Sequence, residues 1–487
     1  MRPLILLVLF SATTAVADEA LLSRIPDRYR ARVADALLRE NGAALTASFA
    51  KLNSDAERES WAFLVANLGT EAQDALTEPM LTGHIRISEA SRANAWAADV
   101  PRGIFLHYVL PPVAGDEKPE SWRKRFADEV APALEGKARD LTDAALIVNR
   151  LCAEKLRLKD RVSRGSTPLQ SLSRGYGNSL DASIYYCAMA RSAGVPARVV
   201  TIPLWTHRTG GQAFVEVFTG RDWHYLEPCA PERKLDSASF SKELPRLPVA
   251  FARTLGEPES GRVFSRRDGA TDLEVTSRYA KSGRLTIRVT DAAGDVAGDA
   301  DLAMYIFSDE KNNAYMRPAF AAKTDGDGKF AFDLGRGDFL LHAAKGLGVG
   351  WTVARSAGGD ATCEIVIRDT PADSRRVTHE RTGRTALQLS LGAGSAGDQT
   401  GAISSYAGHP WNPFGFVGGG GQTVDLDPGR YVVQSSWRRS ETLVLCALMA
   451  FEVKDGLTTV VRMPDFPKIP RPPDPAANAW LFTFPRK

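Results

Sequence analysis

The chain reads as an α+β protein with a helical N-terminal region, a mixed core and two C-terminal β-sandwich modules. Three observations predict this. Apolar residues recur at spacings of three and four from Glu19 to about Asn94, as they do on one face of a helix. After Gly194-Val195-Pro196 the character changes to strands rich in Val, Phe, Ile and Tyr. From about Ser282 short alternating strands separated by turn residues take over, the pattern of a sandwich. A chain of 487 residues is too long for one core. It divides into a leader (1–17), a helical region (18–100), a core domain (101–275), two β modules (280–372 and 376–464) and a Pro-rich tail (465–487).

The leader has a positive residue, Arg2, a short apolar stretch from Leu4 to Phe10 and a small-residue cleavage signal, Ala15-Val16-Ala17. It predicts export, to the periplasm or beyond the cell. Its apolar run is too short to span a bilayer, and no later segment reaches about 18 apolar residues, so no stable membrane insertion is expected. No cysteine stands near the cleavage signal, which argues against an acylated lipoprotein.

In the helical region, Leu21, Leu22 and Ile25, then Val33, Leu37 and Leu38, share a face. Leu45, Phe49 and Leu52 continue it, and Trp61, Phe63, Leu64 and Leu68 make another. Ser54-x-x-Glu57 has the form of a capping box. Pro101 to Pro112, with its compact apolar run from Ile104 to Leu110, reads as extended. Ser121–Leu134 and Thr142–Leu156 read as helices, and Thr142 suits an N-cap. Loop signals at Ser166-Thr167-Pro168 and Gly175-Tyr176-Gly177 lead into a helix starting near Ser179. Ala197–Leu204, Gln212–Phe218 and Trp223–Leu226 read as strands.

Within the first β module, Leu285, Ile287 and Val289 alternate, as do Phe330, Phe332 and Leu334. Asp325-Gly326-Asp327-Gly328 hints at a calcium loop. Lys329 at the fifth ligand position and Arg336 where the twelfth needs Glu argue for a plain hairpin turn instead. The second module carries alternating Leu387, Leu389 and Leu391 and a turn at Asp427-Pro428-Gly429. The glycine run Gly418–Gly421 lacks a following Lys-Ser/Thr and so is no phosphate cradle. Pro464 to Pro475 reads as an extended, weakly ordered strap.

Charge and cysteine content exclude further classes. A net charge of +3 with no basic stripe argues against nucleic acid as a partner. The five cysteines form no C-x-x-C and no Cys/His cluster of zinc spacing, so neither metal nor cofactor is expected. Several of them suit small buried positions. A Cys187–Cys229 disulfide and a reactive Cys229 are both open.

Four segments carry the chemistry in order: Gly177-Asn178-Ser179-Leu180-Asp181, Gly194-Val195-Pro196-Ala197-Arg198, Gln212-Ala213-Phe214-Val215-Glu216-Val217 and Trp223-His224-Tyr225-Leu226-Glu227-Pro228. Over Arg174 to Leu235 this layout resembles the transglutaminase-like superfamily, with its papain-type, cysteine-proteinase core. The later β units resemble the transthyretin-like or Ig-like modules that follow such cores in secreted bacterial proteins. The resemblance implies a helix-start nucleophile, a base on the next strand and an orienting carboxylate. Here those positions fall on Ser179, Gln212 and Glu227, where the family carries Cys, His and Asp. A helix dipole of order 1 kcal/mol does not ionise a serine hydroxyl, and Gln has no titratable group. Ser179 is therefore expected mainly to cap its helix, with Asp181 favourable in the first turn.

Three readings follow. The first is an exported, catalytically degenerate protein that binds a peptide, protein or glycan ligand in a remnant cleft, lined also by Tyr176, Trp205 and His207. The second is an active amide-bond hydrolase or acyl transferase, in which Ser179 or a displaced cysteine works with His207. The third is a structural envelope protein whose modules form an assembly surface.

Overall fold

A computed structural model of the protein describes residues 19–369 apart from 160–165, 207–209, 259, 311–312 and 347, and beyond 369 a set of strand segments. The leader lies outside the described residues. Two compact units divide the rest. The first holds residues up to 201 together with 212–243 and 250–275; the second holds 202–211, 244–249 and everything from 276 onward.

The first unit begins with helices α1 (Asp27–Leu37), α2 (Gly42–Ala50), α3 (Asp55–Asn67), α4 (Thr70–Asp74) and α5 (Glu78–Ser91). Their starts are chemically marked. The Ser54 hydroxyl accepts from the Glu57 N–H at 3.2 Å, and the Glu57 carboxylate accepts from the Asn53 N–H at 2.6 Å. The apolar faces bury Val33, Trp61 and Ile85 completely, and the Trp61 indole N–H donates to the Ser48 hydroxyl at 2.7 Å. These side chains join one hydrophobic cluster that continues through Tyr186 and Val215 to Leu255, so the helical region shares its core with the domain that follows.

Helix α6 (Arg102–Tyr108) replaces the extended segment expected after Pro101. Pro101 stands at its N-cap with φ −58°, and its carbonyl accepts from the Phe105 N–H at 2.9 Å. Phe105 to Leu110 are all buried, and in such a segment no alternation separates strand from helix. Next come α7 (Arg123–Leu134) and α8 (Leu141–Lys155). The cap of α8 is Asp140, whose carboxylate accepts from the Asp143 N–H at 2.8 Å, and not Thr142.

Strands β1 (Arg157–Leu158) and β2 (Tyr176–Gly177) pair in parallel around α9 (Pro168–Arg174), which a Thr167/Gln170 capping box starts and Gly175 ends. Gly175 takes φ +72°, the left-handed conformation of a helix stop. The central helix α10 (Ser179–Ser192) is buried along nearly its whole length. It packs on β4 of a six-stranded sheet ordered β5-β4-β3-β6-β8-β7. Its strands are β3 (Ala197–Ile202), β4 (Gln212–Phe218), β5 (Trp223–Leu226), β6 (Phe251–Thr254), β7 (Val263–Arg267) and β8 (Ala270–Glu274).

The second unit is built of β-sheets. Strands β9 (Gly283–Asp291), β10 (Asp301–Glu310), β11 (Asn313–Lys323), β12 (Lys329–Leu334), β13 (Gly337–Lys345), β14 (Gly348–Ser356) and β15 (Ala361–Asp369) run in the order β11-β10-β13-β14-β15-β9-β12. All neighbours are antiparallel except β15 and β9. The Asp325 turn is not the hairpin expected, because it connects β11 to β12, which lie at opposite ends of that order. The Asp325 carboxylate accepts from the N–H groups of Asp327 at 3.0 Å and Lys329 at 2.8 Å.

Beyond it, β16 (Ala386–Ser390), β19 (Gln422–Asp425) and β22 (Thr458–Arg462) form one sheet. A second sheet, ordered β18-β17-β20-β21-β23, contains β17 (Thr400–Ser405), β18 (Pro413–Val417), β20 (Gly429–Ser440), β21 (Leu443–Val453) and β23 (Ala479–Pro485). The strap expected from Pro464 to Pro475 lies outside the described residues, and β23, which follows it, pairs with β21.

Candidate functional site

The first turn of α10 explains Gly177-Asn178-Ser179-Leu180-Asp181 residue by residue. A Cβ on Gly177 would lie 2.7 Å from the Cβ of Asp181, so only glycine fits. Asn178, not Ser179, is the cap: its Oδ1 accepts from the N–H groups of Leu180 at 2.9 Å and Asp181 at 3.0 Å. The Asp181 carboxylate returns to the Asn178 N–H at 3.2 Å, completing a capping box. That carboxylate is fully buried and also accepts from the Ser166 N–H at 3.2 Å and the Arg174 guanidinium at 3.1 Å.

Ser179 is thereby left as the first helical residue, half-buried, with its side chain turned to β4. Its hydroxyl accepts from the Ala213 N–H at 3.2 Å, which places it beside Gln212. The Gln212 amide donates to the Ala213 carbonyl at 3.2 Å. Glu227, just past β5, is buried and its carboxylate is held by Ser239: one oxygen accepts from the Ser239 N–H at 2.8 Å and the other from its hydroxyl at 3.0 Å. Its carbonyl accepts from the Asn149 amide of α8 at 2.9 Å.

Of the other residues expected around the cleft, Tyr176 is half-buried in β2, with Lys159 at 4.7 Å and Arg174 at 5.2 Å over its ring. Trp205 is 0% exposed, so it offers no surface to a ligand. His207 lies outside the described residues. His224 lies on the edge strand β5, its Nδ1 at 2.6 Å from an Asp236 carboxylate oxygen.

The remaining motif residues make structure rather than a reactive centre. Arg198 and Glu216 form a buried ion pair at 2.6 Å across neighbouring strands. The Arg198 guanidinium lies 3.9 Å over the Trp223 ring, and Trp223 meets Tyr108 edge-on at 4.6 Å.

Three thiols surround this region, all free and buried: Cys152, Cys187 and Cys229. Burial pushes Cys187 up to about 12 and Cys152 well above the usual thiol range, the latter with Cys229 as hydrogen-bond partner. The Cys187–Cys229 bond held open above is not formed. Cys229 takes φ +59° and is anchored by Asn149, whose Oδ1 accepts its N–H at 2.8 Å. Asn149 was not singled out from the sequence. Its signal was a polar residue on the apolar face formed by Ala145, Val148 and Cys152.

Residues 128–228 match the transglutaminase-like superfamily. The chain carries a transglutaminase-like domain. The match runs from α7 to Pro228 and includes Ser179, Gln212 and Glu227. Among solved structures, the chain is similar to red sea bream transglutaminase at 12% identity, covering 74% of each chain with a TM-score of 0.24. It is similar at 10% identity to a protein from Cytophaga hutchinsonii described as a candidate cysteine protease, covering 31% of this chain and 58% of that one, TM-score 0.21. It thus spans less than two thirds of that protein's length. A streptococcal ancillary pilin matches at 12% identity over 52% of this chain and 81% of the other, TM-score 0.17. Likenesses this distant say nothing about the reaction. Among curated proteins none matches significantly. The transglutaminase-like domain is therefore the extent of the assignment, with a helical N-terminal region before it and antiparallel sheets after it.

Proposed function

We propose that this chain is an exported transglutaminase-like protein that has lost thiol catalysis and binds a peptide, protein or glycan ligand beside Ser179 and Gln212. Export rests on Arg2, the apolar stretch from Leu4 to Phe10 and Ala15-Val16-Ala17. Among the described residues no helix is long and apolar enough to cross a membrane.

One observation carries the loss of catalysis. The hydroxyl at the nucleophile-equivalent position is engaged by the Ala213 N–H, next to an amide that takes up no proton. The Glu227 carboxylate accepts from Ser239 and, with Gln at position 212, has no imidazole there to orient, as an active site of this type would need. The buried thiols do not substitute. A group held near 12, as Cys187 is, supplies almost no thiolate at neutral pH.

The test has two arms. The wild type should bind peptidoglycan sacculi or dimethylcasein, and Ser179→Trp, which sets an indole beside Gln212, should abolish that binding. Neither probe should be hydrolysed or cross-linked. Amide turnover that disappears in Ser179→Ala would overturn the loss of catalysis, and binding unchanged in Ser179→Trp would overturn the ligand site. The double variant Ser179→Cys/Gln212→His should acquire a thiolate that alkylates well below the usual thiol pKa, since it restores a thiol at a helix start beside an imidazole.

A further inference from the structure

Helix α8 has one face committed to the core, through Ala144, Ala145, Val148, Asn149 and Cys152. Its opposite face is open and borders a groove of about 610 Å³, closed on its sides by the end of α7 and by the segment after β5. Leu146, Ile147 and Leu151 form its half-buried apolar floor.

Charge distinguishes this groove. At one end Arg139 and Asp143 satisfy each other at 2.7 Å, and that hydrogen bond, with Arg150 adding to it, holds Asp143 below the usual carboxylate range. Lys137, Arg150 and Arg233, brought from three different segments, have no carboxylate within ion-pair distance among the described residues. The groove's described carboxylates are Asp143, already paired with Arg139, and Glu154 at the far end. An apolar floor lined by cations without an ion-pair partner calls for a ligand with apolar groups and carboxylates in close alternation.

From Asp143 to Glu154 the floor extends about 16 Å at 1.5 Å per helical residue. That length matches about five residues of extended peptide at 3.3 Å each. Two carboxylates, Asp143 and Glu154, interrupt the positive lining, which suits a short ligand better than a continuous anionic surface. Guanidinium forks also pair bidentately with carboxylates. We propose that this groove binds a short, extended acidic peptide segment, its apolar side chains on Leu146, Ile147 and Leu151 and its carboxylates on Arg150, Arg233 and Lys137. The site lies on the face of α8 turned away from Asn149 and is independent of the cleft at Ser179.

A fluorescein-labelled pentapeptide of alternating glutamate and leucine tests this by anisotropy titration of the full chain. Saturable binding that weakens with added salt is expected. Arg150→Glu and Arg233→Glu should each weaken it about tenfold or more, because a like charge then faces the peptide carboxylate. Both positions are exposed, and Arg233 lies outside any helix, so at least the second variant retains the fold. Ser179→Trp should leave the titration unchanged, which separates this site from the cleft. The proposal is overturned if a control pentapeptide of alternating lysine and leucine binds equally well, or if charge reversal has no effect. Co-sedimentation with phosphatidylglycerol vesicles without peptide binding would likewise overturn it, in favour of a membrane surface.

Discussion

At Gly177 one added carbon decides whether the turn before α10 can form. The hypothetical Cβ lies 2.7 Å from that of Asp181, and neither backbone nor buried carboxylate has room to yield. Gly177→Ala should lower stability by about 1–3 kcal/mol, the usual cost of overpacking, read as a shift in the urea midpoint. Asn178→Ala removes the cap and should cost about 1 kcal/mol. His84 offers a residue-scale test of a different kind. Its Nε2 meets the Glu120 carbonyl at 2.7 Å and its Nδ1 accepts from the Arg123 guanidinium at 3.1 Å, so the neutral, Nε2-protonated tautomer is the one that satisfies both. Burial, reinforced by the Arg123 charge, depresses it to about 3. The sign follows: the unfolded chain takes up a proton below its ordinary value of about 6.5, while the folded chain does not. Stability is complete above that pH and falls toward pH 3, by up to about 1.4 kcal/mol per pH unit. In His84→Gln this part of the pH dependence of unfolding should vanish.

At the scale of the element, β3, β4 and β5 are tied by Arg198, Glu216 and Trp223 more than by any reactive group. Breaking a buried pair strands one charge, so Glu216→Ala should cost about 3–5 kcal/mol, measurable by denaturant unfolding. Arg198→Met with Glu216→Leu should cost much less, because neither charge is then left alone. These residues also show why the fold could be read from the sequence more readily than the site. Gly194, Arg198, Glu216 and Trp223 are fixed by packing: a Cβ on Gly194 would lie 3.0 Å from the Ser91 carbonyl and Arg198 has a buried partner, so their identities leave a recognisable pattern. The partner of Ser179 is a backbone N–H and that of Glu227 a loop serine, neither of which spacing along the chain reveals. Helix caps are legible in the sequence only to within one or two positions for a related reason. Asn178 and Ser179, or Asp140 and Thr142, share the same preference, and only backbone conformation chooses between them. The α6 segment gives no helical signal in the sequence because a fully buried run carries no periodicity.

Across the whole molecule the cysteines report on folding. Cys152 and Cys187 are 0% exposed and Cys229 is 9% exposed, so none should react with a thiol-specific reagent while the first unit is folded. Mass mapping after alkylation should find these positions unlabelled in native protein and labelled in urea. Labelling of Cys187 under native conditions would contradict the buried core. The second unit obeys a different logic, set by one pairing. Strand β9 opens its sheet, yet one edge of it is covered only by β15, the last strand of the seven, running parallel. As the chain emerges from a ribosome or a translocation pore, β9 must wait with an open edge until residue 361 and beyond have followed. Truncation after residue 356 should therefore yield an aggregation-prone product rather than a smaller stable module, and the interval before β15 arrives is when this protein most needs a chaperone.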